Sequence, residues 1–377
     1  MCSSRRTVLV VELGSEHGLA LLVARSLAEW HGTRIHILTA DAASAARYSR
    51  HVRSLCSWGS VSTAGTAGEI LSQEAKRIRA DVVLPVDQQA VRVLTAHRHS
   101  LSAATRLVPM PSIASLDHAD DKHAVALLLQ ELQLSLPRTI PVTRDSGFAG
   151  TLGTLSFPVL LKPTRRAGGR GIHEFLTAAA LVEYAMHGPL GDEPHIVQEF
   201  VRGYDLSCNV LCEDGRIVAH TLQRGFLPPA KPFQMPSGVE FFYHDDTMAS
   251  IRKLVAALKW NGVANIDMRF DEAEGRARIL EINPRFWASL LGSVSVGVNF
   301  AELACRIALD LECPAVDYRP GRFIVQKRVA LRHLFGVLRR DRNRSTSPLR
   351  SVLSYLAVDP FPEIALLVRQ LRRSLLH

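Results

Sequence analysis

The sequence GVANIDMRFDEAEGRARILEINPRFW, Gly262 to Trp287, reads as a β-hairpin that carries carboxylates. Residues 263–270 and 277–283 are rich in β-branched and aliphatic side chains, and the polar segment between them, Asp271 to Arg276, contains Gly275 as a turn residue. Two antiparallel strands are therefore predicted. Strand side chains alternate faces, so Asp267 shares a face with Arg269, and Glu281 shares one with Asn283. The expected register sets Asp267 opposite Glu281, where like charges repel unless something between them neutralises the charge. A divalent cation would do so. Two carboxylates and an Asn carbonyl are oxygen donors, which suit Mg2+ or Mn2+ and not Zn2+, an ion that favours His and Cys. Arg285 adds a permanent cation just past the last candidate ligand, a combination that holds Mg2+ against a nucleotide phosphate tail. The competing reading is a solvated surface hairpin with scattered charge.

Upstream, residues 157–172 (FPVLLKPTRRAGGRGI) place one lysine, Lys162, in an apolar strand, where a buried ammonium needs an anionic partner. Gly168, Gly169 and Gly171 follow and free the backbone to wrap closely, presenting N–H groups to phosphate oxygens, with Arg165, Arg166 and Arg170 adding charge. Because the lysine precedes the glycines, this is not a P-loop; a plain hairpin turn is the alternative. Residues 195–211 (HIVQEFVRGYDLSCNVL) read as strand, turn at Arg202-Gly203, strand. Backbone beyond Gln198 and Glu199 could hydrogen-bond a purine edge, and Asp205 could accept from ribose hydroxyls. The Pro-rich segment 224–240 is expected to be neither helix nor central strand but a lid or substrate loop. A helix over about Thr247 to Trp260 leads into the hairpin. Further back, Asp120 and Asp121 suit the first turn of a helix that ends before Pro137. Lys122 is a cation that the helix dipole disfavours there, and so a candidate ligand group, although a lone Lys ordinarily faces solvent.

The first 115 or so residues alternate strand and helix, which implies a parallel sheet. TVLVVEL (7–13), RIHILTA (34–40), DVVLPV (81–86) and RLVPMP (106–111) are the strands, with helices to about Trp30, near 67–79 and from about Gln88 to His97. The loop Gly14 to Gly18 lacks a full GxGxxG and is a weak nucleotide signal. His17 and Asp87 lie where loops leave strand ends, a usual place for ligand contacts in open α/β sheets, though loop polarity explains them equally.

A length of 377 residues with 47% hydrophobic and 21% charged content describes an ordinary globular protein large enough for two or three domains. No run approaches the roughly 18–20 apolar residues of a membrane span. The N-terminus runs from MCSSRRT directly into a strand-like segment without the apolar region or cleavage site of a secretory signal, and the expected location is cytoplasmic. Six cysteines without CxxC spacing suggest neither a zinc site nor a disulfide framework. The net charge of +9 sits in the tail: from Arg322 onward there are 12 Lys+Arg against three acids, which leaves 33 of each sign before it. Such a tail could meet nucleic acid, an acidic partner or an anionic membrane, a solvated charged face being the commoner explanation. Nucleic acid is the least supported, since the basic residues lack interleaved aromatics. Residues 336–349 have linker composition, and helical patterns resume at 350–357 and 362–376, where Ile364, Leu367, Val368 and Leu371 are expected to pack onto the body.

Lys122, Lys162 with its glycine loop, the QEFVRGYD hinge, and Asp267, Glu281 and Asn283, in that order, resemble the ATP-grasp superfamily over roughly residues 5–315. Within it the chain looks most like the carboxylate–amine ligases and the carbamoyl-phosphate-synthase-type ligases. The resemblance implies an α/β chain, α+β in its ATP-grasp part: a Rossmann-like pre-ATP-grasp domain (1–115), a two-lobed ATP-grasp domain (116–315, with lobes 116–200 and 201–315) and a basic C-terminal extension (316–377). It implies ATP and Mg2+ (or Mn2+) as cofactors. Lys122 and Lys162 would hold the α and β phosphates, and Gly168, Gly169 and Gly171 would close over them. Gln198, Glu199 and Val201 would read adenine, and Asp205, where Glu is more common, the ribose. Asp267, Glu281 and Asn283 would bind metal, while Arg285 and Arg269 are the candidate catalytic cations. The implied reaction converts a small-molecule carboxylate to an acyl phosphate, which an amine captures as an amide. Alternatives with the same ATP site are an ATP-grasp kinase, a bicarbonate-activating carboxylase and a non-catalytic ATP-binding regulatory module whose basic tail docks an acidic partner. Substrate specificity is expected from loops near Gly14 to Gly18 and Asp87 and from 224–240, with Arg224 and Lys231 as carboxylate contacts. Related ligases are often homodimers, and nothing in the sequence decides the assembly here.

Overall fold

The computed structural model describes residues 5–14, 18–61, 66–142, 148–166, 168–190, 193–339 and 350–375. Its three sheets follow one another along the chain. The first comprises β1 (Arg6–Glu12), β2 (Thr33–Thr39), β3 (Val52–Ser57), β4 (Val82–Pro85) and β5 (Arg106–Leu107), all parallel, in the order β3-β2-β1-β4-β5. Val8 to Val11 are wholly buried, as an unbroken apolar run in a sheet covered on both faces must be. The order is that of a doubly wound Rossmann-like half. Sequence patterning misses β3, an edge strand in which Arg53 and Ser54 interrupt the apolar run.

The second sheet is antiparallel, with β6 (Thr139–Pro141), β7 (Val159–Pro163), β8 (His173–Phe175) and β9 (His195–Glu199) in the order β6-β9-β7-β8. A small core of its own, including Phe148, Leu161, Leu181 and Val197, supports it.

The third sheet comprises β10 (Gly203–Glu213), β11 (Arg216–Pro229), β12 (Pro236–Phe241), β13 (Gly262–Asp271), β14 (Arg276–Asn283), β15 (Gly321–Ile324) and β16 (Arg350–Ser351), ordered β14-β13-β10-β11-β12-β15-β16. Its underside packs on the helix Asp245–Ala257 through Cys208, Met248, Ile251 and Ile266. The segment 224–240 corrects the sequence reading, since most of it is strand. β11 runs on to Pro229 and β12 begins at Pro236, so these two prolines pair with each other at the strand ends, where the ladder needs no donor from them. A register shift between Gly225 and Leu227 absorbs the mismatch, and only about residues 230–235 form the connecting tip.

The chain's end folds back on its beginning. Asp359, fully buried, accepts from Arg25 Nε (3.0 Å), Ser49 Oγ (2.8 Å) and the Arg50 backbone N–H (3.0 Å). The helix Phe361–Leu375 starts from this clasp. The row Ile364, Leu367, Val368 and Leu371, expected to pack on the body, is instead exposed. The clasp holds the helix at its first turn and leaves that face outward.

Candidate active site

Residues of the second and third sheets line one cleft of about 280 Å3. β13 and β14 pair antiparallel with Asp267 opposite Glu281 and Asn265 opposite Asn283, and Gly275 takes the left-handed turn position (φ +65°). The pairing shifts just after Asp267, leaving Leu280 as an extra residue that lines the cleft. Both carboxylates therefore face the same cavity. Burial, then the charge of Glu281, pushes Asp267 up to about 7, although Ser207 Oγ donates to its Oδ1 at 2.7 Å. Burial also works against Glu281, but Lys122, 2.9 Å from its Oε2, together with Lys162 and Asn283, holds it below the usual carboxylate range. One carboxylate is charged and satisfied while the other resists ionisation, the electrostatic deficit that a divalent cation relieves.

Lys122 opens the helix Lys122–Glu131, whose N-cap Asp121 accepts from the His123 and Ala124 N–H groups. Its ammonium also donates to the Arg166 carbonyl at 2.6 Å, tying it to the glycine loop. Lys162 comes from β7 and is buried. Desolvation lowers it to about 8 despite the attraction of Glu281, with Lys122 and Arg269 adding repulsion. Its direct partner is Gln198, whose Oε1 accepts at 2.7 Å and whose Nε2 donates to Thr139 Oγ1. The Gln198 side chain thus supports the lysine. Gly168, Gly169 and Gly171 all have positive φ (+71°, +73° and +75°). A Cβ on Gly169 would lie 2.4 Å from the Phe233 carbonyl, so this glycine permits the loop to seat against the tip between β11 and β12.

The structure brings Lys122, Lys162, Gly168, Gly169, Asp205, Asp267, Arg269, Glu281 and Arg285 to the cleft wall. Asn283 stands behind the carboxylates, with Nδ2 donating to Asp267 Oδ2 (3.0 Å) and Glu281 Oε1 (3.4 Å), so its amide presents hydrogens to the pair in this orientation. Arg269 sits at the hinge between the second and third sheets. It donates to the carbonyls of Val201 and Gly203 (both 2.6 Å) and pairs with Asp205 Oδ1 at 2.7 Å, which makes it a brace for residues 201–205. Glu199 accepts from the Ser156 N–H at 2.8 Å. Gly14 would place a Cβ 2.9 Å from Asp87 Oδ1, and Asp87 itself caps the helix Gln88–Ala96. Glu12 accepts from the Ala20 N–H at 2.9 Å, so that first loop already holds carboxylates where a phosphate would need donors. Arg224 is engaged by Glu240, and His17 lies outside the described residues.

Sequence reading missed the cleft's apolar slot of Leu160, Ile172 and Phe200, because a strand leucine that lines a cleft carries the same pattern as one in a core. Ser207 was findable: it is two residues from Asp205, on the same face of β10, and pairs with Asp267. Among the described residues no group of three or more His, Cys, Asp or Glu is placed to hold a metal ion.

A family model described as "ATP-grasp in the biosynthetic pathway with Ter operon" matches residues 192–329, the stretch from the hinge through the carboxylate hairpin. Over that stretch, a little more than a third of its length, the chain is similar to the ATP-grasp family. Carbamoyl phosphate synthase large chains are similar to this chain over part of its length. That of Thermoanaerobacter sp. (strain X514) is 24% identical over 226 residues, 56% of this chain and 20% of the relative. That of Thermomicrobium roseum is 26% identical over 228 residues, 58% and 21% respectively. The chain spans about a fifth of the length of these curated relatives. Among solved structures, an N5-carboxyaminoimidazole ribonucleotide synthetase in complex with ADP superposes with a TM-score of 0.65 at 14% identity, covering 92% of this chain and 90% of that one. The biotin carboxylase domain dimer of Hydrogenobacter thermophilus 2-oxoglutarate carboxylase, with MgADP and bicarbonate, gives 0.64 at 14% identity (84% and 73% covered). An L-amino acid ligase from Bacillus licheniformis gives 0.58 at 17% (81% and 75%). These likenesses establish the ATP-grasp fold.

Proposed function

We propose that this chain is an ATP-dependent ligase that converts a carboxylate to an acyl phosphate and transfers the acyl group to an amine, releasing ADP and phosphate. The observation that carries the reading is the opposed, unequally charged pair Asp267 and Glu281, set in one cleft with Lys122, Lys162 and Arg285. Phosphoryl transfer needs charge neutralisation and alignment more than a protein nucleophile, and this cleft supplies cations on one wall and acids on the other. Mg2+ held by Asp267 and Glu281 would neutralise the phosphate tail. Asn283 joins them as a ligand only if its amide turns to present oxygen. Lys122 and Lys162 would bind phosphate oxygens, with Gln198 and Glu281 keeping the two ammonium groups in position beforehand. The apolar slot beneath the hinge would take the adenine, and Asp205, steadied by Arg269, the ribose. Arg285, two residues beyond Asn283, would hold the carboxylate and the developing acyl phosphate. Acyl phosphates hydrolyse readily, so the glycine loop and the 230–235 tip would close to exclude water.

Bicarbonate in place of an organic acid is the second reading, supported by the likeness to biotin carboxylase and N5-carboxyaminoimidazole ribonucleotide synthetase folds. The test is ADP release with Mg2+ and ATP across pooled carboxylic acids and amines, with bicarbonate as a separate arm, in wild type and Glu281→Gln. Stimulation by one acid plus one amine, lost in the variant, is the expected result. Stimulation by bicarbonate alone would select the second reading, and no stimulation by any pool would overturn both.

A further inference from the structure

The C-terminal clasp leaves a surface that is exposed among the described residues. Beyond the buried Pro362, Ile364 is 51% exposed, Leu367 57% and Leu371 56%; with Val368 they form an i, i+3, i+4, i+7 row along the helix Phe361–Leu375. Arg369 donates to the Ala43 carbonyl and so points its side of the helix toward the first sheet's loops. A second helix, Lys327–Arg339, exposes Leu331, Leu334 and Phe335 at the same spacing, and Lys327 is paired with Glu363 at the start of the final helix. Isolated exposed leucines need no explanation, but two helical rows joined at their bases form a patch of the kind that marks an interaction site.

The charge around the patch selects its occupant. Of the three acids after Arg322, Asp359 is buried against Arg25, Glu363 is held by Lys327 and Arg25, and Asp341 lies outside the described residues. Arg328, Arg332 and Arg372 are exposed beside the apolar rows. A second copy of this surface would set these cations against their own kind. A partner that is apolar inside and anionic at its face satisfies both features. We infer that this face docks on an anionic lipid surface, with the final helix lying in the interface plane. At about 1.5 Å per residue its 15 residues reach roughly 22 Å along that plane. Among the described residues no helix is long and apolar enough to cross a membrane, so attachment is peripheral and reversible.

The experiment is co-sedimentation of the full chain with vesicles of neutral phosphatidylcholine and with vesicles containing about 30% phosphatidylserine. The expected result is binding to the anionic vesicles about tenfold or more above the neutral ones, weakened by salt. It should be abolished by Leu367→Glu with Leu371→Glu and reduced about tenfold by Arg328→Glu with Arg332→Glu. The melting temperature and its shift with ATP serve as the folding control, because none of these residues lines the cleft. Absence of binding to anionic vesicles at low salt, or binding unaffected by the leucine changes, would overturn the inference. A dimer at micromolar concentration that those changes dissociate would assign the face to a second copy instead. Equal affinity for polyglutamate, insensitive to the leucine changes, would assign it to an acidic polypeptide.

Discussion

Lys162 shows what one residue's surroundings announce in advance. An ammonium within VLLKP cannot be buried without a partner, and that much is readable from the apolar run alone. The partner is not, because it depends on register. Leu160 pairs with Gln198 and Lys162 with Ile196, so Lys162 and Gln198 are diagonal neighbours across β7 and β9, a distance that long side chains span. The same logic separates Arg269 from Arg285. Both are cations on or just after the carboxylate hairpin, and only the pairing of β10 with β13, which sets Asp205 opposite Arg269, reveals that Arg269 belongs to the hinge. Lys162 also carries a pH prediction. Burial has lowered its pKa from 10.5 to about 8, so the folded protein resists a proton that the unfolded chain accepts between those values. The cost is fully present below about pH 8 and is relieved as pH rises toward 10.5. A phosphate tail beside the ammonium would reverse the shift. Nucleotide binding at about pH 9 should therefore take up close to one proton, read by calorimetry in buffers of different ionisation enthalpy. Lys162→Met should bind more weakly and take up none; equal uptake by the variant would remove Lys162 from the phosphate site.

Elements were readable where a period and a turn residue agreed. The strands around Gly275, the hinge at Gly203 and the first parallel strands all carry both signals. The hairpin of β11 and β12 was hidden because its prolines argue against strand, and only their placement at the paired ends makes them harmless. That hairpin's tip explains the glycine loop's composition as well. Phosphate wrapping would ask only for small, permissive residues, whereas Gly169 also meets the Phe233 carbonyl at a distance no side chain tolerates. Gly169→Ala should leave the melting temperature within about 2 °C, because loop and tip are surface elements. It should lower kcat for ADP release by about tenfold or more through a loop that cannot seat. An unchanged kcat would show that seating against Phe233 plays no part in turnover.

At the scale of the molecule, the link between the two ends of the chain was invisible in sequence, since Arg25 and Asp359 lie 334 positions apart and neither belongs to a motif. Their pairing closes the first sheet against the last segment, and the shared core that runs from Val8 through Trp287 and Phe300 to Val352 continues beneath it. An ion pair of this kind is a weak source of net stability, because desolvation offsets most of its attraction, but breaking it leaves the buried Arg25 with only its longer ionic contact to Glu363, at 3.6 Å. Asp359→Ala would also orphan the Ser49 hydroxyl and the Arg50 N–H. The expected loss is roughly 3–5 kcal/mol by urea unfolding, with earlier proteolytic release of the final helix. Asp359→Asn keeps an acceptor for the Arg50 N–H and should lose less. Because the clasp is remote from the carboxylate hairpin, ADP release by either variant should match wild type while the protein stays folded. A loss below about 1 kcal/mol for Asp359→Ala would mean that the chain's end is held by its apolar contacts alone, and that the exposed row of the last helix is presented by packing and not by the buried ion pair.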